Sequence, residues 1–207
     1  VGTENSSSII SNEIADASGW VGQLRSFFAA RYGTFGGGSI TPYFDGTDAR
    51  VSLSGSPSQE FTLHPFAQGA RLTTTKTATF TTPAGARYCD ILYYAGGSSD
   101  GSLIGGFSYA VDGGGAVTGL AAGSNPTPGP RVLTIDMGTT ASHTVLLTGL
   151  HATNLQSIFG IRYHNGTGVV VSRWAKAGWT LLDMHGLGES FRNNSCISNV
   201  YNRTRIA

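Results

Sequence analysis

The groups that could move protons or hold a metal are few: five histidines and twelve acidic residues in 207. His64, His143, His151, His164 and His185 form no HxH, HExxH or HxxxH arrangement, so the spacing that sets two imidazoles on one metal ion is missing. Each is expected to bond locally in a strand or turn. His143, which follows Ala141-Ser142 and opens an apolar run, is expected to be structural. Asp90, Asp100, Asp112 and Asp136 fall at strand ends or turns, where a carboxylate bonds nearby backbone N–H groups. Glycoside hydrolysis needs two carboxyls facing each other across roughly 5–10 Å, a distance that sequence does not set. No EF-hand spacing marks a calcium loop. No metal and no cofactor is expected.

Aromatic side chains offer a different chemistry. A ring face suits the C–H-rich face of a sugar as it suits any apolar partner with a polar rim. Tyr43, Tyr93, Tyr94, Tyr109, Trp174 and Trp179 are the candidates, with Tyr93, Tyr94, Trp174 and Trp179 the binding residues of choice. Tyr93 and Tyr94 are adjacent, so a strand must turn one to each face. The glycine runs Gly36-Gly37-Gly38 and Gly113-Gly114-Gly115 lack the GxxxxGK[ST] pattern of a phosphate loop and read as linker or turn.

The elements that must position these groups are mostly strands. Thirty glycines and abundant Ser and Thr suit short strands joined by tight turns. Alternation of period two starts near residue 50, at Arg50-Val51-Ser52-Leu53, and recurs in 60–64, 70–81, 87–94, 103–111, 131–136, 143–148, 157–163 and 168–174. Asp112-Gly113 between apolar runs predicts a hairpin. Residues 34–48 and 121–130 read as connections. Eight to ten short strands between 50 and 175 predict a mainly β protein, an antiparallel, jelly-roll-like β-sandwich with irregular termini. One N-terminal helix is predicted over 18–32, where Trp20, Leu24, Phe27, Phe28 and Arg31 recur at three- and four-residue steps. Ser18 would cap its start and Gly33 its end, and its apolar face needs a cover.

Composition narrows the function classes. Formal net charge is +1 with 12% charged residues and no basic run, which is no footprint for nucleic acid. No apolar run reaches the roughly 18 residues of a membrane span. Two cysteines, Cys89 and Cys196, read first as unpaired or buried thiols, and two residues alone do not establish a disulfide. The opening Val1-Gly2-Thr3-Glu4 has no Met and no leader pattern, as expected of an internal or processed start. Low charge and few lysines fit an extracellular, cell-surface or virion protein.

The order of the pieces resembles the SGNH (GDSL-type) hydrolases that carry an inserted β-sandwich. Val1-Gly2-Thr3-Glu4-Asn5-Ser6 is similar to the segment after the nucleophile block, Ser18-Gly19-Trp20-Val21-Gly22-Gln23-Leu24 to the following helix, and Gly168-Val169-Val170-Val171 through Ala177-Gly178-Trp179-Thr180 to the return into the hydrolase core. The resemblance implies that Gly178 donates a backbone N–H to an oxyanion hole. It also implies three regions: 1–48, part of a hydrolase body; 49–175, the sandwich; and 176–207, an irregular tail. The chain contains no Gly-Asp-Ser, Gly-x-Asn-Asp or Asp-x-x-His block, so no complete acyl-transfer set is expected within it. The resulting expectation is an accessory sandwich that binds a glycan or a neighbouring protein subunit, with homo-oligomers allowed. The alternatives are part of an esterase completed by other segments, and a structural subunit of a virion or surface assembly.

Overall fold

The computed structural model describes residues 20–33, 37–42, 48–60, 69–95, 105–123 and 129–171. Helix α1 (Trp20–Tyr32) ends at Gly33, whose φ of +64° is the left-handed step that glycine takes at a helix C-terminus. Ser18 lies outside the described residues. Twelve strands follow among the described residues: β1 (Gly37–Ile40), β2 (Val51–Ser54), β3 (Ser58–Glu60), β4 (Gly69–Leu72), β5 (Thr77–Thr81), β6 (Tyr88–Ala95), β7 (Phe107–Val111), β8 (Val117–Leu120), β9 (Gly129–Asp136), β10 (Thr144–Gly149), β11 (Gln156–His164) and β12 (Val170–Val171).

They form two sheets, as the alternating sequence predicts. One sheet runs β2-β5-β10-β7-β8. In the other, β9 pairs β6 and β6 pairs β11. The far side of β11 is shared, β4 taking residues 156–158 and β1 taking 161–163. β3 lies beyond β4, and β12 beyond β1. All pairings are antiparallel except β1 with β12. The chain crosses repeatedly between sheets, so each layer is assembled from distant segments.

Alternate residues of each strand meet in the space between the sheets. Ile40, Leu72, Cys89, Ile91, Tyr93, Ile135, Ile158, Ile161 and Tyr163 come from one sheet. Ala78, Phe80, Phe107, Val145 and Leu147 come from the other. A fully buried Phe or Leu contributes roughly 1.5–3 kcal/mol by leaving water, so this layer dominates the energetics. Cys89 is a free, buried thiol. Burial, and then the neighbouring Asp90 charge, push its pKa far above the ordinary range.

Two connections expected from sequence contain strand. Residues 37–40 form β1 because Gly37 and Gly38 leave room that a side chain would fill. A Cβ on Gly37 would sit 2.6 Å from the Tyr163 carbonyl, and one on Gly38 would sit 2.5 Å from the Tyr163 hydroxyl. Glycine's weak strand preference hides a site where backbones must approach. Gly129-Pro130 likewise opens β9, which among the described residues is an edge strand paired with β6 alone, where a missing N–H is tolerated.

The helix departs from its amphipathic expectation. Phe27 is 61% exposed, and Leu24 and Tyr32 are also exposed. Its anchor is polar: Arg25 donates to the Tyr163 hydroxyl in the sandwich.

Candidate functional site

One set of ionisable groups, including Arg87, Asp90, Asp112, Asp136, His143, Arg162 and His164, lies at the end of the sandwich where β5, β7, β9 and β11 finish and β6 and β10 begin. Asp90, on the outward face of β6, is 1% exposed. Arg162 and His164, two positions apart on β11, flank it, with Arg162 at 2.5 Å and His164 Nε2 at 3.3 Å from the same carboxylate oxygen. Thr134 on β9 donates its hydroxyl to the other oxygen at 2.5 Å. Burial pushes the Asp90 pKa up, but the His164 bond, the Arg162 charge and the Thr134 bond outweigh it and hold the carboxyl below its usual range.

The Asp90–His164 pair resembles an acid–base dyad, but its other nitrogen is occupied. Gly166 donates its backbone N–H to His164 Nδ1 at 3.0 Å. Nδ1 is therefore the acceptor and Nε2 carries the hydrogen that faces Asp90. A general base must offer that lone pair to a substrate. Here a turn amide holds it. The ring also stacks on Tyr88 at 5.5 Å, and Arg87 lies 5.4 Å over the Tyr88 ring while pairing with Asp136 at 2.8 Å.

A second cluster ties three loops together. Asp112 and Gly113 both have positive φ, +51° and +72°, and Gly114 donates to the Val111 carbonyl. This is the type I′ turn that an Asp-Gly pair favours. The Asp112 carboxylate receives His143 Nδ1 at 2.6 Å and the Thr144 N–H at 2.8 Å. His143 is buried, and its Nε2 lies 3.0 Å from the Thr139 hydroxyl. That hydroxyl in turn receives the Ala141 N–H at 3.3 Å. Thr82 pairs with His143 through backbone and side chain. The sequence expectation for His143 was structural, and these contacts give it that work. Among the described residues no group of three or more His, Cys, Asp or Glu converges as a metal site would.

The other sheet differs in kind. Strands β2, β5, β10, β7 and β8 contain no Asp, Glu, Lys, Arg or His. Their outward positions are Ser52 and Ser54, Thr77, Thr79 and Thr81, Thr144, Leu146 and Thr148, Ser108 and Ala110, and Thr118. Register aligns Ser54, Thr77, Thr148, Ser108 and Thr118 in one row across all five strands, with Ser108, at 9% exposure, sunk between its neighbours. Neighbouring strands lie about 4.8 Å apart. Leu146, 37% exposed, sits beside this row, between Thr79 and Ala110. Sequence reading missed this face, because Ser and Thr at alternate positions signal only a solvent-facing strand.

The aromatic candidates separate. Tyr93 turns into the core, edge-on to Phe107 at 4.9 Å. Tyr94 faces outward on β6, half-buried, with its carbonyl receiving Gln156 Nε2 at 2.7 Å. Tyr109 packs against the core. Tyr43, Trp174, Trp179 and Gly178 lie outside the described residues, as do His64, His185 and Cys196.

Fold and site together define a two-sheet antiparallel β-sandwich with one polar end and one uncharged sheet face. No family model matches the chain, and no curated protein matches it. Solved structures similar to it include a family 35 carbohydrate-binding module from Clostridium thermocellum, at 12% identity and TM-score 0.44, covering 61% of this chain and 97% of that one. Another is the exo-beta-1,3-galactanase of Phanerochaete chrysosporium, at 14% identity and TM-score 0.43. That likeness covers 62% of this chain but only 29% of the galactanase. A CBM35 from Paenibacillus barcinonensis matches at 11% identity and TM-score 0.41, over 60% of this chain and 96% of that one.

The SGNH resemblance is corrected by these findings. The similar structures are carbohydrate-binding modules and glycan-active enzymes, not SGNH hydrolases. The segment read as a return to a hydrolase core, at Val170-Val171, is strand β12, paired with β1 in the sandwich's own sheet. A helix pattern and one glycine are local signals, and pairing between distant strands overrides them.

Proposed function

We propose that this chain is a recognition module whose β-sandwich binds glycans in an extracellular, cell-surface or virion setting. One observation carries the reading: a five-stranded sheet face is lined by hydroxyl groups and holds no ionisable side chain on its strands. A hydroxyl both donates and accepts, as each sugar hydroxyl does. β-Branched Thr side chains are stiff at χ1, so ordering them on binding loses little entropy. The polar end supports recognition over acid–base catalysis, since Asp90, Asp112, Asp136, His143 and His164 are each committed to protein partners. Tyr94, half-buried and outward on the opposite sheet, is a secondary stacking candidate. Affinity electrophoresis of the chain through gels containing a panel of soluble polysaccharides tests the reading. Retardation by at least one is expected, and uniform migration through all would refute it.

A neighbouring protein subunit is the second reading, favoured by the exposed Leu24, Phe27 and Tyr32 of α1. Native mass spectrometry showing only monomer, with Phe27→Ser leaving solubility and melting unchanged, would remove it.

A further inference from the structure

We infer that the sheet β2-β5-β10-β7-β8 selects neutral, unbranched polysaccharide, laid across its strands along the row Ser54–Thr77–Thr148–Ser108–Thr118, with Leu146 under a sugar ring. This rests on the glycan reading above and assigns that reading a site, an orientation and a ligand class.

Charge decides the class. An acidic glycan must shed water from its carboxylates or sulfates on a sheet face, and that loss is offset only by a cation or a charge-assisted donor. None of the five strands supplies one; the cation Lys76 stands just outside β5. The Arg, His and Asp side chains of the strands all belong to the opposite sheet, on β4, β6, β9 and β11. A neutral polymer incurs no such loss, and its hydroxyls meet groups of the same kind.

Register decides the orientation. The five aligned hydroxyls cross every strand, a span of roughly 19 Å at the usual strand spacing. Along any single strand no more than three outward hydroxyls follow one another, as in Thr77, Thr79 and Thr81 of β5. The longest continuous track for a linear polymer therefore runs across strands. Two exposed side chains on these strands are apolar and larger than Ala, Leu146 on the central strand and Val117 on edge strand β8, and Val117 is registered with Tyr109 of the core-facing set rather than with the hydroxyl row. The place of Leu146 beside the row on the central strand gives the C–H face of a sugar ring an apolar seat. A branch on the side that meets the row would hold the neighbouring sugars off these hydroxyls.

The test uses the full chain in affinity electrophoresis against amylose, a linear β-glucan, a linear mannan, polygalacturonate and a sulfated galactan. Two variants accompany it. Leu146→Arg puts bulk and charge at an exposed position, and Thr148→Val removes one central hydroxyl at constant shape. Unchanged melting confirms the fold of each. The expected result is retardation by a neutral polymer, none by the two acidic ones, a loss of at least 10-fold in affinity with Leu146→Arg, and a several-fold loss with Thr148→Val. Neutral binding that both variants leave intact overturns this site but not the glycan reading. Binding to an acidic polymer as tight as to any neutral one overturns the ligand class. Binding to no polymer overturns the glycan reading itself.

Discussion

Asp112 offers the sharpest test of the polar end, because its backbone and its carboxylate make separable contributions. Its φ of +51° suits Gly, Asn and Asp, whereas an Ala there costs about 1 kcal/mol or slightly more. Its carboxylate receives His143 Nδ1 and the Thr144 N–H. Asp112→Gly keeps the turn and removes the acceptor. The Thr144 N–H can turn to water, since the Asp112 side chain is 50% exposed, but the His143 ring, at 6%, cannot. The unsatisfied ring N–H then costs roughly 1–3 kcal/mol. Asp112→Ala adds the backbone term and reaches roughly 2–4 kcal/mol. At about 3 °C per kcal/mol for a chain of this size, melting falls by about 6 °C for Gly and about 9 °C for Ala. The inverted order, Gly above Ala in stability, is the signature.

Acid gives a second readout of the same site. The His143 bond, then the Thr144 N–H, hold the Asp112 carboxyl below its usual range. A folded pKa below the unfolded one contributes stability that is present above the unfolded value near 3.9 and is lost as pH falls through the folded value. The gap between wild type and Asp112→Gly should therefore narrow from pH 6 toward pH 3. Thermal and urea unfolding followed by circular dichroism measure both effects. An Ala variant as stable as the Gly variant, or a gap that does not change with pH, would refute the reasoning.

Other consequences are quicker to check. In a Cys196→Ser background Cys89 should resist a thiol-reactive disulfide reagent at pH 8 while folded and react at once in urea, because burial keeps it a thiol. Rapid reaction in the native state would contradict the buried placement. Gly149→Ala should destabilise by roughly 2 kcal/mol or more, since its Cβ would sit 2.6 Å from the backbone of Thr73, which cannot swing aside. A neutral urea midpoint would argue against that packing. Tyr163→Phe removes the hydroxyl that receives Arg25 and, at 3.4 Å, Arg50, and should cost roughly 1–2 kcal/mol by the same unfolding assay. Arg50 keeps its Asp48 pair, so an effect much larger than this would mean that more than these bonds was lost.

Much of the fold is written in local chemistry. Alternation in 87–94 separates Cys89, Ile91 and Tyr93 from Asp90, Leu92 and Tyr94, because successive side chains of a strand leave on opposite faces. Asp112-Gly113 marks its hairpin because few other pairs accept two positive φ values. The sequence therefore determined a strand-rich, two-faced chain of low charge, with one helix, and the fold class follows from burying one face of each sheet.

Tertiary structure decided which face is which, and which strands meet. That Tyr93 rather than Tyr94 is buried depends on the sheet lying opposite, not on either tyrosine. Residues 37–40 become a strand only because Tyr163 and Val170 approach a backbone without side chains. The SGNH resemblance failed for the same reason, since order along the chain carries no information about pairing. The hydroxyl row is the extreme case: its five members are scattered from residue 54 to residue 118 and on to 148, and they align only through the registers of four strand pairs. Each residue alone is an ordinary Ser or Thr. A binding surface of this kind is a property of register, which backbone hydrogen bonding and the packed core fix together and no local stretch of sequence encodes.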